Sequence, residues 1–366
     1  MDPIPVVVQS DASAGALAGW VLGWAAAVAA AAWLTARIIP WLRRHGAVVP
    51  ASAEGGDRGM PRGGGLVIVA VVLVAALGVC AVDRDAAVRL AGGLLPAAGV
   101  AIVSLRDDFR PLPALGRLAV HVAAAAAATA TLGPVREITV PSLGTMQLGA
   151  AAWPCTIVWI AGLTNAFNFM DGIDGIAGIV TAAIATALAV AAATLGMPAA
   201  AIVSTALSAA ALGFLSCNWH PARVFMGDVG STWCGFLVAV LPLVPPAGAG
   251  RAALLQVAAC AAWPFLFDTG WTLLKRIWHF ENVLVAHRGH IYQRLVSAGW
   301  SHRGVATLYG GLTALAGAVA VAPLLDDVLR STADTVALAG ICVGAALLLI
   351  LASDSVKAER QRAPSS

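Results

Sequence analysis

The sequence predicts an all-α polytopic membrane protein, on three grounds. Hydrophobic residues make up 60% of the 366 and charged residues only 11%, against about 25% charged in an ordinary soluble domain. Mean hydropathy is +0.85. Apolar runs of bilayer-spanning length recur along the chain, as lipid requires of segments that must satisfy their own backbone amides. This composition excludes a soluble enzyme, a nucleic-acid-binding protein and a disordered chain. The net charge of +3 then reflects cationic loops on one membrane face rather than a nucleic-acid partner.

About eleven spans follow in order, at 15–38, 65–82, 87–105, 117–133, 148–164, 175–195, 199–216, 230–248, 252–274, 304–324 and 334–352. The fourth is short and alanine-rich. No internal repeat and no soluble domain interrupts them, so 1–366 is expected to form one integral membrane domain, with 353–366 a flexible cytoplasmic tail. Asp2 and Asp11 lie where a cleavable signal peptide would carry positive charge. The six cysteines form no CxxC or zinc-like spacing and read as small apolar residues.

An odd number of spans puts the termini on opposite sides, and lysine and arginine decide which is inside. With the N-terminus outside, 17 of the 22 fall in inner segments, among them Arg43, Arg44, Arg62, Arg106, Arg117, Lys275 and Arg288. Arg84, Arg89, Arg136, Arg251 and Arg330 fall outside. The expected topology is therefore N-out, C-in. The histidines sort the same way: His45, His220, His279, His287, His290 and His302 lie in inner loops, and His121 one turn into the fourth span.

Three inner loops place five carboxylates at one membrane depth. Asp107 and Asp108 follow the third span, Asp171 and Asp174 the fifth, and Asp228 precedes the eighth. Ionisable groups at such positions usually mark a site. Adjacent Asp107 and Asp108 must point apart, while Asp171 and Asp174 share a face if helical. Crowded carboxylates repel one another, and either a divalent cation or cationic side chains would relieve that. Oxygen donors helped by the Asn165 and Asn168 amides suit Mg²⁺. For Asp228, ahead of Val229-Gly230-Ser231, a helix cap is the lesser alternative to a site role. Asp268 is ambiguous between a site role and helix packing, and Asp57, Asp83, Asp85, Asp326, Asp327 and Asp334 read as ordinary loop charges.

Two inner loops bring donors. Arg58-Gly59-Met60-Pro61-Arg62-Gly63-Gly64-Gly65 could cradle phosphate at a helix start or be a flexible turn. His287-Arg288-Gly289-His290-Ile291-Tyr292-Gln293-Arg294 offers two histidines at i, i+3 without a companion zinc ligand nearby, so phosphate or pyrophosphate suits it better than zinc. Contact with anionic lipid is the other reading. Acids, amides, Mg²⁺ and Arg/His donors at one membrane surface describe a phosphoryl-transfer site beside lipid.

Four motifs carry a resemblance: DDFRPLPALGRL at 107–118, NAFNFMDGIDGIAG at 165–178, VFMGDVGS at 224–231 and AHRGHIYQRL at 286–295. In this order they resemble those of the polyprenyl-phosphate N-acetylhexosamine-1-phosphate transferases, glycosyltransferase family 4, over roughly residues 50–300. The last motif is more similar to the branch that initiates O-antigen or related surface glycans than to the peptidoglycan branch.

The resemblance implies transfer of N-acetylhexosamine 1-phosphate from a UDP-N-acetylhexosamine to undecaprenyl phosphate, releasing UMP, at the cytoplasmic face of a bacterial inner membrane. It implies Mg²⁺, with Mn²⁺ as a substitute, held by Asp228 and Asn168. Of the pair Asp107 and Asp108, Asp108 is the one expected to orient or deprotonate the lipid phosphate. Asn165, Asp171 and Asp174 would line the nucleotide-sugar site, and Arg62, His287, Arg288 and His290 would bind diphosphate and sugar. A homodimer is compatible with the family. Relatives often read PNxRSSHxxPTPRGGG where this chain keeps PRGGG but has Ala51, Ala53, Gly56 and Met60 at the Asn, Arg, His and Thr positions. A catalytically impaired member is therefore one alternative. A secondary transporter for an anionic solute is the other, although its site would lie near the midplane between repeats.

Overall fold

A computed structural model of the chain describes residues 13–45, 48–49, 59–140, 144–282, 289–326, 340–351 and 353. In chain order these form α1 (Ser13–His45), β1 (Val48–Val49), β2 (Met60–Pro61), α2 (Leu66–Val82), α3 (Arg84–Phe109), α4 (Ala114–Leu132), β3 (Glu137–Val140), β4 (Gly144–Gln147), α5 (Ala152–Met170), α6 (Ile176–Thr194), α7 (Pro198–Asn218), α8 (Asp228–Val240), α9 (Ala249–Trp278), α10 (Ile291–Ser297), α11 (His302–Leu325) and α12 (Gly340–Leu351). Each of the eleven predicted spans contains one of these helices, and α10 is additional. Among the described residues eight helices are long and apolar enough to cross a membrane, whereas α2, α8 and α12 are shorter. The protein is thus an all-α, multi-pass membrane protein with two small antiparallel hairpins, β1–β2 and β3–β4. The last predicted span begins, and the predicted tail lies, largely outside the described residues.

Helix ends depart from the hydropathy boundaries in both directions: α8 stops at Val240 rather than 248, whereas the two helices that carry the acidic motifs run on. The fifth helix runs to Met170 rather than 164, and the third to Phe109 rather than 105. A hydropathy window stops at the first polar cluster, but those polar groups are shielded by neighbouring helices and the backbone keeps its i→i−4 bonds. Asn165, Asn168, Asp107 and Asp108 therefore sit on final helical turns, not in loops. Asp83 also needs correction. It is the one-residue joint between α2 and α3, and its Oδ1 accepts from Ala86 N at 2.9 Å, an N-cap rather than a loop charge.

The bundle is built around α8. All its residues from Val229 to Val240 are buried, enclosed by α3, α5, α6 and α9. At the periphery α1 exposes Leu17, Trp20, Leu22 and Trp33, which suits a lipid-facing helix. Small residues set the tightest contacts. The PRGGG segment runs beside residues 224–227: Phe225 N donates to Pro61 O, Gly64 N to Phe225 O and Gly65 N to Met226 O at 2.9–3.0 Å. A β-carbon on Gly65 would overlap the Gly230 backbone of α8, and one on Gly235 would meet Leu163 O of α5 at 2.6 Å.

Gly65→Ala is therefore expected to cost about 1–3 kcal/mol through overpacking. Gly78→Ala, within α2 and with nothing near it, should be neutral or gain up to about 1 kcal/mol. SDS unfolding titrations in mixed micelles compare the two, and equal stabilities would refute the close α2–α8 contact.

Candidate active site

At one end of the bundle the C-termini of α3 and α5, the N-terminus of α8 and the PRGGG segment meet. The residue before α8 is Gly227, at φ +78°, with no side chain to cap the helix. Asp108 supplies the cap from α3. Its Oδ1 accepts from Asp228 N at 2.8 Å and its Oδ2 from Val229 N at 3.1 Å. Only glycine fits at 227, since a β-carbon there would lie 2.7 Å from Asp108 Oδ2. Asp228 is thus the first residue of α8, not its cap, and its carboxylate is favoured by the helix dipole.

Asp107 points the other way, as adjacent helical residues must. It accepts from Leu112 N and, at 2.9 Å, from Arg117 Nη1. The same nitrogen lies 3.1 Å from Asp228 Oδ2. Arg62 closes the other side, 3.5 Å from Asp108 Oδ1 and 3.8 Å from Asp228 Oδ1. The two arginine side chains are 41% and 35% exposed, while Asp108, Asp107 and Asp228 are 1%, 4% and 15% exposed. The cations form a half-solvated rim over buried carboxylates. When all three carboxylates are ionised, they outnumber the two guanidinium groups by one negative charge.

Asp171 follows the last residue of α5 and adds a second negative charge when ionised. Its burial pushes the carboxyl well above the usual carboxylate range. Arg62 opposes that shift, while Asp228, Asp108 and Asp174 reinforce it. Asn168 joins this group, donating from Nδ2 to Ser231 Oγ on the first turn of α8 at 3.2 Å. Asn165 does not. Its amide donates to Ala161 O, and its Oδ1 lies 3.2 Å from His121 Nδ1 on α4. An oxygen-rich, residually anionic cluster of Asp228, Asn168 and flanking aspartates fits a hard divalent cation.

Asp171 and Asp174 lie in a turn, so they do not share a helical face. Asp174 ties three connections together. Its Oδ2 lies 2.6 Å from His220 Nδ1 and 3.6 Å from His302 Nδ1, and accepts from Ala222 N at 3.1 Å. Burial opposes ionisation of this carboxyl, but bonds from His302, His220 and Ala222 outweigh it and hold the pKa below the ordinary value. The three ligand-type atoms are close enough to invite a metal. The 2.6 Å approach, however, is a hydrogen bond, shorter than the about 3.3 Å that tetrahedral zinc sets between its ligands.

His290 is buried and faces Asp268 of α9 at 3.2 Å. Asp268, fully buried, also accepts from Ile291 N at 2.8 Å, Tyr292 N at 3.0 Å and Tyr309 OH at 2.6 Å. It thereby anchors the start of α10. Tyr292 OH in turn donates to Phe169 O at 3.0 Å, next to Asp171. His287 and Arg288 lie outside the described residues, as do residues 51–58 of the altered glycine-rich loop. Arg117, His220 and His302 were not singled out in the sequence as members of this region, and Asp268 was left ambiguous. Arg117 lies inside the DDFRPLPALGRL motif. Asp268, an acid inside an apolar helix, was itself a signal.

Tyr309→Phe removes one donor from Asp268 and should cost about 1 kcal/mol. Asp268→Ala strands several donors and should cost about 3–5 kcal/mol. Unfolding titrations in mixed micelles measure both, and an Asp268→Ala protein as stable as Tyr309→Phe would refute the anchor.

Residues 90–245 match the family described as Glycosyl transferase family 4. A protein of Bacillus subtilis named "Probable undecaprenyl-phosphate N-acetylglucosaminyl 1-phosphate transferase" is 30% identical over 257 residues, 69% of this chain and 70% of that protein. A "Phospho-N-acetylmuramoyl-pentapeptide-transferase" of Synechococcus sp. is 33% identical over 178 residues, 49% of this chain and 52% of the relative. One of Clostridium perfringens is 44% identical over 109 residues, 30% and 34% of the two chains.

Proposed function

The chain belongs to glycosyl transferase family 4, and from that premise we propose that it transfers N-acetylhexosamine 1-phosphate from a UDP-sugar to undecaprenyl phosphate, initiating a cell-surface glycan. The observation that supports this most is the rim of Arg62 and Arg117 over Asp107, Asp108 and Asp228, at the end of a lipid-embedded bundle. Guanidinium forks match phosphate oxygens, and a lipid phosphate reaches such a rim without leaving the bilayer.

An oxygen of the lipid phosphate forms a bond to the sugar-bearing phosphorus of the donor, and the bond from that phosphorus to UMP breaks. With a second pKa of about 6, a phosphate monoester is largely dianionic at neutral pH, so its attack requires no general base. Both oxygens of Asp108 are already taken by N–H groups of α8. In this proposal Asp108 positions Asp228 and does not deprotonate the lipid phosphate. Arg62 and Arg117 hold the approaching phosphates, and Asp107 fixes the Arg117 guanidinium. Asp228 and Asn168 would hold Mg²⁺, or Mn²⁺ in its place, which offsets the diphosphate charge and that of departing UMP. Asp171, Asp174 and His290 border the nucleotide-sugar, with positioning and charge stabilisation supplying most of the rate.

The site faces the cytoplasm of a bacterial inner membrane, with the N-terminus outside. The 17-to-5 asymmetry of Lys and Arg supports this orientation. The name of the Bacillus subtilis relative makes UDP-N-acetylglucosamine the first donor to try.

The purified protein, given undecaprenyl phosphate, Mg²⁺ and a panel of UDP-N-acetylhexosamines, should release UMP and form a diphospholipid product with at least one donor. Asp228→Asn should lower that turnover by about 10²–10³, and chelation of the divalent ion should abolish it. Full turnover in Asp228→Asn, or none from the wild type with any donor, would overturn the proposal.

A further inference from the structure

At the opposite end of the bundle from the aspartates, a cavity of about 330 Å³ opens between the β3–β4 hairpin and the start of α9. Its walls include Arg136, Glu137 and Gln147 from the hairpin and Arg251 from α9. Arg251 is only 5% exposed. Every bond it makes runs to a neutral carbonyl: the two hydrogens of Nη2 are shared among Leu132 O, Leu243 O and Pro245 O at 2.6–2.9 Å, and Nε donates to Pro245 O at 2.9 Å. Among the described residues no carboxylate lies within ion-pairing distance of it.

A buried guanidinium without a counter-charge is costly. The carbonyls that end α4 and follow α8 offset part of that cost through their dipoles. They leave a full positive charge in the cavity wall, with Nη1 making no hydrogen bond among the described residues. Arg136, exposed just ahead of β3, adds a second positive charge at the mouth. The one acid on the wall, Glu137, already accepts from Gln147 Nε2 at 3.0 Å, and it offsets only one of the two arginines.

We propose that this cavity binds a phosphate anion, with Arg251 as its buried anchor and Arg136 as its outer arm. Guanidinium groups favour phosphate over other anions through their fork of donors. The level fits as well, since the cavity lies where helix ends meet the hairpin, and the ends of membrane-spanning helices reach the headgroup region. The same chemistry would accept an anionic phospholipid headgroup or free phosphate. It is separate from the proposed transferase site and does not depend on that function.

Native mass spectrometry of the full chain, released from nanodiscs of equal phosphatidylglycerol and phosphatidylcholine, tests the site. The wild type should retain phosphatidylglycerol preferentially, and Arg136→Gln should reduce that preference roughly fivefold while leaving helical content unchanged. Arg251→Lys, which keeps the charge but loses the fork, should weaken it too. Loss of the bound lipid on adding inorganic phosphate would assign the site to a free anion. Retention would assign it to the headgroup. Equal retention of the two lipids by the wild type, or a preference untouched in Arg136→Gln, overturns the proposal.

Discussion

The carboxylate of Asp108 joins two helices that are 120 residues apart in sequence. The start of α8 is buried, and its first N–H groups have no helical partners of their own. The chain places glycine at the capping position and draws the acceptor from the last turn of α3. A charged acceptor on two buried donors is among the stronger hydrogen-bond arrangements available to a protein. It also fixes Asp228, which heads α8, within reach of Arg62 and Arg117. The geometry of the whole acidic cluster follows from where that one side chain lies. The close passage of Gly65 over Gly230 then holds the PRGGG segment, and Arg62 with it, against the same helix.

A second buried carboxylate does the same work on the other side. Asp268 gathers the first N–H groups of α10, the His290 ring and the Tyr309 hydroxyl. Tyr292 then reaches Phe169, at the end of α5. Asp174 ties the α5–α6 turn to His220 and His302. Three aspartates thus hold the connections at one end of the bundle, and the residues left partly exposed there are the arginines and the turn at Asp171. Among the described residues the far end has no such carboxylate network, and Arg251 meets carbonyl oxygens instead.

Much of this was legible in the sequence, because hydropathy reports burial in lipid directly. The eleven apolar runs each became a helix, and the four polar motifs pointed to the segments that converge. What the sequence hid was which carboxylate does which task. Asp107 and Asp108 look equivalent in a string. Only the fold shows that one meets Arg117 and the other the amides of α8. The fact that Gly227 stands where a capping side chain is expected was the available hint. Asn165 and Asn168 also look like a pair, yet three residues along a helix turned Asn165 toward His121 and left Asn168 beside Ser231. The β3–β4 hairpin escaped notice because a span-length window averages over strands of four residues.

The most direct test compares the unfolding free energies of Asp108→Asn and Asp228→Asn in mixed micelles. An asparagine at 108 can accept with one atom only and turns an N–H toward a helix N-terminus, so Asp108→Asn should lose about 1.5–3 kcal/mol. Asp228→Asn should match or exceed the wild type, because it relieves repulsion from Asp107 and Asp108. An Asp108→Asn protein as stable as the wild type would contradict the account.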